Sequence, residues 1–154
     1  LTTLAMNRLP SADAAFTAYA EMFEGDALAM DKWLSLQAMI PEADNLDRVR
    51  RLMDHPAFSF ANPNRVRALI GAFATGNPVA FHNPDGTGYH YLASVVTELD
   101  GKNPQVAARL LAAFRSWRAL EPGRQALAKA ELERVAEREG LSTDTSDIVT
   151  RILG

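Results

Sequence analysis

Apolar residues recur at helical spacing along nearly the whole chain. The clearest stripe is Val66, Leu69, Ile70 and Phe73, at i, i+3, i+4 and i+7. It has its own start signal. Asn62 can accept an orphan backbone N–H of the first turn as an N-cap. Pro63 then occupies the first helical position, where a missing N–H costs nothing and a fixed φ suits the helix. The opposite face carries Ala68, Gly71, Ala72 and Ala74, small enough for a second helix to approach. Arg65 falls beside the apolar stripe and Arg67 on the small-residue face. An arginine on a helix packed from two sides needs a partner or a solvent channel, because an unpaired buried charge is expensive.

Similar signals divide the rest. Residues 1–10 read as a helix tail and a stop. Ser11 can cap a helix carrying Ala15, Phe16, Tyr19, Met22 and Phe23, ended by Gly25. A second helix spans roughly 28–39 with Leu28, Trp33, Leu36 and Ile40 among its apolar residues. Its apolar residues occupy more than one side, which predicts burial. Asp44 or Asn45 opens a third helix through Leu46, Val49, Leu52 and Met53. After the central helix, Asn77-Pro78 repeats the cap-then-proline signal and starts a short helical turn. The stretch His82 to Gly88 is a loop. Helices then follow over about 89–99, from Asn103-Pro104 through Trp117, and from Glu121-Pro122 to about Glu139. Gly140 is placed as a C′ residue. A last helix carries Ile148, Val149, Ile152 and Leu153. The pattern gives about eight helices, each roughly 8 to 18 residues long, and no convincing strand. The fold class is all-α: an irregular α-solenoid of stacked antiparallel helical hairpins, without a strict sequence repeat.

Composition narrows the classes. The 154 residues suit one domain, 47% hydrophobic and 23% charged. A net charge of −3 and the lack of a basic stripe with interleaved aromatics argue against nucleic acid as a partner. No apolar run approaches a membrane span. With no cysteine there is neither a disulfide framework nor a thiolate metal site, which fits a cytoplasmic protein. The chain starts at Leu1 without a secretory leader and reads as one helical domain, residues 1–154, cut from something longer.

Candidate chemistry is sparse. His82 and His90 flank a Gly-rich loop and His55 stands alone. No His-Glu-x-x-His pair exists and no second ligand follows at i+3 or i+4, so no metal site is expected in this chain. Ser59, Ser94 and Ser116 lack an elbow motif. Asp85-Gly86-Thr87-Gly88 lacks the trailing Lys-Ser/Thr of a phosphate loop and reads as a turn. Glu131, Glu133, Glu137 and Glu139 read as a solvated helix face, and Trp33 and Trp117 as core. Asn62, Asn64 and Arg65 remain. They make either a helix cap with a structural ion pair or a polar cluster facing a ligand. A helix start favours carboxylates, and Arg offers a planar bidentate donor.

Several stretches occur in an order that resembles a known family. They are Met30-Asp31-Lys32-Trp33, Leu36-Gln37-Ala38, Asn62 through Phe73, Asn77-Pro78, Ala80-Phe81-His82, Asp85 through Tyr89, and Asn103 through Ala107. Together they resemble the C-terminal helical domain of the bacterial aminopeptidase N family, zinc metallopeptidases of the gluzincin type. The resemblance implies that the zinc ligands, the general base and the amine-holding motif lie in earlier domains, so this chain carries no catalytic residue and no cofactor of its own. It also implies that the domain caps the catalytic cavity and controls substrate access. Its partners would be the catalytic and β domains of the same polypeptide, and peptide substrate. Asn62, Asn64 and Arg65 would line the substrate cavity, with Arg65 nearest the peptide's backbone or carboxylate end. An apolar patch is expected beside the Asn62 helix start and the 82–89 loop, where the rest of the polypeptide would dock. The competing readings are a stand-alone helical-repeat scaffold for protein partners and an independent hydrolase with a cryptic site.

Overall fold

The computed structural model describes residues 2–3 and 11–154. Apart from Thr2 and Thr3, which are helical, the helix tail expected over residues 1–10 lies outside the described residues. Every regular element among the described residues is helical. Two compact units divide the chain, one ending at Ala80 and the other running from Phe81 to Gly154.

The first unit holds α1 (Ala12–Phe23), α2 (Ala27–Ala38), α3 (Asn45–Met53) and α4. Helix α4 is continuous but not uniform. It comprises Pro63–Val66, a π-helical turn Arg67–Gly71, and Ala72–Gly76. The stripe read from sequence is its core face: Val66, Leu69, Ile70 and Phe73 are all fully buried. Helix α2 is held from three sides. Trp33 Nε1 donates to the Phe16 carbonyl of α1 at 2.8 Å, and the Trp33 ring lies against His55. Asn45, the first residue of α3, donates to the carbonyls of Gln37 and Ala38 at the end of α2. Contacts with α4 run in the same order on both helices: Asp31 with Arg65, Ser35 with Ala68, Met39 against Gly76. So α2 and α4 lie parallel, with α3 as the antiparallel return between them. Alternating directions of this kind are what short connections between stacked helices produce.

A short α5 (Pro78–Phe81) leads into the second unit, which holds α6 (Thr87–Asp100), α7 (Pro104–Leu110), α8 (Pro122–Ala136) and α9 (Thr143–Leu153). Three contacts again keep sequence order: Gly86 against Leu127, His90 with Glu131, and Ser94 with Arg134. Helices α6 and α8 are therefore parallel. Glu131 is only 17% exposed and bonds both His90 and Arg134, so it is an inter-helix tie and not part of the solvated face expected for it.

Three further expectations are corrected. The helix expected to run through Trp117 is α-helical only to Leu110, then continues as 3₁₀ turns over Leu111–Phe114 and Trp117–Ala119. Winding at three residues per turn keeps Leu111, Phe114 and Trp117 on one face, and all three are buried. Gly140 does not close α8, whose C-cap is Glu137. Its positive φ of 75° serves the turn that leads to α9. Leu28, expected among buried residues of α2, is 81% exposed.

Candidate functional site

The residues singled out from sequence stand at the start of α4. Asn62 is extended, with φ −106° and ψ 105°, and its Oδ1 accepts from the backbone N–H of Asn64 at 3.0 Å and of Arg65 at 3.4 Å. That satisfies two of the orphan donors of the first turn. The Asn64 side chain points outward, exposed, and makes no hydrogen bond within the described residues.

Arg65 is tied through two of its three guanidinium nitrogens. Nε donates to the Ala57 carbonyl at 2.9 Å, and Nη1 donates to the Ala27 carbonyl at 3.1 Å and to the Asp31 carboxylate. The two side chains are 13% and 19% exposed. This fork joins the start of α2, the loop before α4, and α4 itself. The third nitrogen is different: Nη2 has no partner among the described residues, yet it is not a buried orphan. A guanidinium pinned through Nε and Nη1 holds its remaining N–H pair in a fixed direction, prepared to donate to a carboxylate or a carbonyl. The structural and the ligand-facing readings of Arg65 are thus compatible, since each uses different N–H groups.

Sequence reasoning gave Asp31 no role, though it decides where Arg65 points. The signal was a carboxylate in a helix whose neighbours Met30, Trp33 and Leu34 are buried. Leu28, one residue beyond the Ala27 carbonyl that Arg65 holds, is a large exposed apolar side chain at this end of the unit. A cleft of about 390 Å³ lined by Gln37, Arg48, Arg51 and His55 includes none of the three residues predicted for the site.

The 82–89 loop is built separately, within the second unit. Asn83 Oδ1 accepts from Asp85 N–H, and Asp85 Oδ1 accepts from the backbone N–H and hydroxyl of Thr87. These local bonds make it a turn and a helix start. The Thr87 hydroxyl, then its N–H, hold the Asp85 carboxyl below the ordinary carboxylate value. Behind the loop, His82 Nδ1 and the fully buried Tyr89 hydroxyl are 2.6 Å apart, and Arg124 Nε donates to the His82 carbonyl at 2.6 Å. Burial, followed by the Arg124 charge, lowers the His82 pKa below 6.5 and favours the neutral ring. Burial chiefly raises that of Tyr89. His82 and His90 do not converge: His90 pairs with Glu131. Among the described residues, no group of three or more His, Cys, Asp or Glu side chains is placed to hold a metal ion.

With this geometry in hand, comparison with known proteins is decisive about family. The profile of a family described as "Domain of unknown function (DUF3458_C) ARM repeats" matches residues 1–154. The chain belongs to this family. ARM repeats are stacked helices, in keeping with the alternating directions found in the first unit. Among curated relatives, aminopeptidase N of Escherichia coli (strain K12) is 42% identical over 146 residues, covering 95% of this chain and 17% of that protein. Aminopeptidase N of Haemophilus influenzae is 42% identical over 141 residues, covering 92% and 16%. Aminopeptidase N of Caulobacter vibrioides is 37% identical over 151 residues, covering 98% and 17%. A solved structure, Legionella pneumophila aminopeptidase A in complex with aspartic acid, superposes with a TM-score of 0.92 at 33% identity. It covers 99% of this chain and 18% of that one. The chain therefore spans about a sixth of the length of the relatives it matches.

Proposed function

We propose that this chain is the non-catalytic C-terminal domain of a cytoplasmic zinc aminopeptidase, capping the active-site cavity and controlling which peptides enter. The full-length similarity to aminopeptidase N, over a small fraction of those proteins, supports the parentage. The observation that carries the site reading is the half-pinned Arg65 fork, whose Nη2 has no partner among the described residues, next in sequence to the exposed Asn64. In this reading Asn62, Asn64 and Arg65 line the cavity, and Arg65 Nη2 donates to the backbone carbonyl or terminal carboxylate of a bound peptide. Among the described residues no group of three or more His, Cys, Asp or Glu side chains is placed to hold a metal ion, and in this reading the zinc is held by the remaining part of the polypeptide. This chain's share is binding and exclusion: it orients peptide and keeps long or folded chains out. The expected apolar docking patch has candidates in exposed Leu28 at the Arg65 end and in Leu127, which packs on Gly86 of the 82–89 loop and is 37% exposed.

The test is complementation in trans. The parent enzyme is truncated before the segment corresponding to this chain, and the domain is added back. Binding, together with a changed ratio of kcat/KM for short against long peptides, is the expected result. A zinc-loaded core that binds nothing and already behaves like the whole enzyme overturns the gate and leaves the scaffold reading. Asn64→Ala is the cleanest probe of the lining role. Its exposed side chain has no partner among the described residues, so stability should change by no more than about 0.5 kcal/mol. A raised KM for peptides in the whole enzyme then reports contact with substrate.

A further inference from the structure

The π-helical turn of α4, Arg67–Gly71, directly follows the candidate site and carries Leu69 and Ile70 of the core stripe. Before it stand Asn62, Asn64 and Arg65; after it stands Phe73, fully buried. In an α-helix the Ala72 N–H would bond to the Ala68 carbonyl. Here it bonds to the carbonyls of Arg67 and Leu69 instead. The Ala68 carbonyl is taken by another helix: Ser35 Oγ of α2 donates to it at 2.8 Å. A side chain inserted into the i→i−4 ladder is one of the few physical causes of a local break in helical winding. The π turn carries one extra residue, and at 3.6 residues per turn one residue is worth about 100° of rotation. Without it, the Asn62 end of α4 would face a different way relative to Phe73.

Ser35 and Asp31 are one turn apart on α2 and on the same face. They meet α4 at Ala68 and Arg65, three residues apart. The two contacts do different jobs. Asp31 holds the Arg65 side chain, and Ser35 holds the backbone that carries it. We propose that Ser35 is a positioning residue for the peptide site: by donating to the Ala68 carbonyl it keeps the π turn, and the π turn aims Arg65 Nη2 and the Asn64 amide into the substrate cavity. This inference rests on the lining role proposed above.

The test uses the whole aminopeptidase polypeptide with Ser35→Ala, Ser35→Thr, Arg65→Ala and the Ser35→Ala/Arg65→Ala double variant. Ser35→Ala should raise KM for peptides about tenfold at nearly unchanged kcat, the order expected when one charge-assisted hydrogen bond is lost. Ser35→Thr keeps the hydroxyl and should restore KM. The double variant should lose clearly less than the sum of the two single losses, because the serine acts largely through the arginine. Amide hydrogen exchange, resolved over residues 67–72, should quicken in Ser35→Ala and not in Ser35→Thr, whatever the substrate does. Unchanged KM and unchanged exchange in Ser35→Ala overturn the proposal, as does a full additional loss in the double variant. If Arg65→Ala and Asn64→Ala both leave KM unchanged, the lining reading has failed, and the functional role of Ser35 falls with it. If those two raise KM while Ser35→Ala does not, the lining reading stands and only the positioning role is lost.

Discussion

Gly88 is where a single atom would matter most. A Cβ built there would lie 2.8 Å from the Cα and carbonyl carbon of Phe81, and closer still to its oxygen. Those are backbone atoms, so no rotamer change can make room. The close approach lets the first turn of α6 sit on the end of α5, with Tyr89 packed edge-on to Phe81 and near Phe114. Gly88→Ala should therefore cost about 3 kcal/mol or more, the upper end for overpacking. Gly25 is the control. It has nothing within 4 Å of an added Cβ, so Gly25→Ala should stay within about 0.5 kcal/mol. Urea unfolding of both variants checks the contrast. Sequence alone ranked neither glycine, because the decisive atoms of Phe81 are brought there by the loop's own geometry.

The Asn-Pro signal shows how far an element can be read from its residues, and where reading stops. The sequence marks Asn62, Asn77 and Asn103 as caps before a proline, and each does accept a first-turn N–H through Oδ1. The side-chain amide of Asn77 does more. It is 1% exposed, and Nδ2 donates to the carbonyls of Ala38 at 2.9 Å and Ile40 at 2.7 Å, closing the end of α2. A cap obeys a local rule written within three residues, whereas this tie spans nearly forty. Asn62→Ala and Asn103→Ala should each cost about 1 kcal/mol, the usual value for a cap. Asn77→Ala removes two buried hydrogen bonds in addition to the cap, from carbonyls that keep the Asn45 and Glu42 donors, and should cost about 3 kcal/mol. Thermal unfolding of the three variants measures this; equal losses would mean that the Asn77 tie contributes nothing beyond its cap. The same limit applied at the site. The helix start at Asn62 was legible, but Asp31 and Ser35, each more than thirty residues upstream of the residue it holds, were not. The π turn left no signature because its cause lies on another helix.

For the molecule as a whole, helix-type periodicity marked the all-α class and the central part of the core, although Met22 and Leu28 of the named stripes are exposed; global stability depends also on a few buried polar groups that periodicity does not mark. Asp100, at the end of α6, accepts from the backbone N–H and hydroxyl of Ser142 and from the Thr145 hydroxyl at the start of α9. Burial works to raise its pKa, but these hydrogen bonds and the nearby Arg138 charge outweigh it and hold the carboxyl below 3.8. The unfolded chain therefore takes up that proton first. The stabilisation is complete above 3.8 and is lost as pH falls from there through the lower folded value. His82 acts in the same direction in an earlier window. Its folded pKa lies below 6.5, so the unfolded chain protonates first and stability begins to fall once pH drops below 6.5. Acid unfolding should thus begin with a shallow loss below the ordinary histidine value, followed by a steeper one below the ordinary carboxylate value. His82→Gln should flatten the first without altering the second. Asp100→Asn should lower stability at neutral pH and flatten the second, so that its deficit against the unmodified chain disappears in strong acid. Denaturant midpoints measured across the pH range decide it: a deficit in Asp100→Asn that persists unchanged in strong acid would show that the side chain's shape, not its charge, holds α9 against α6.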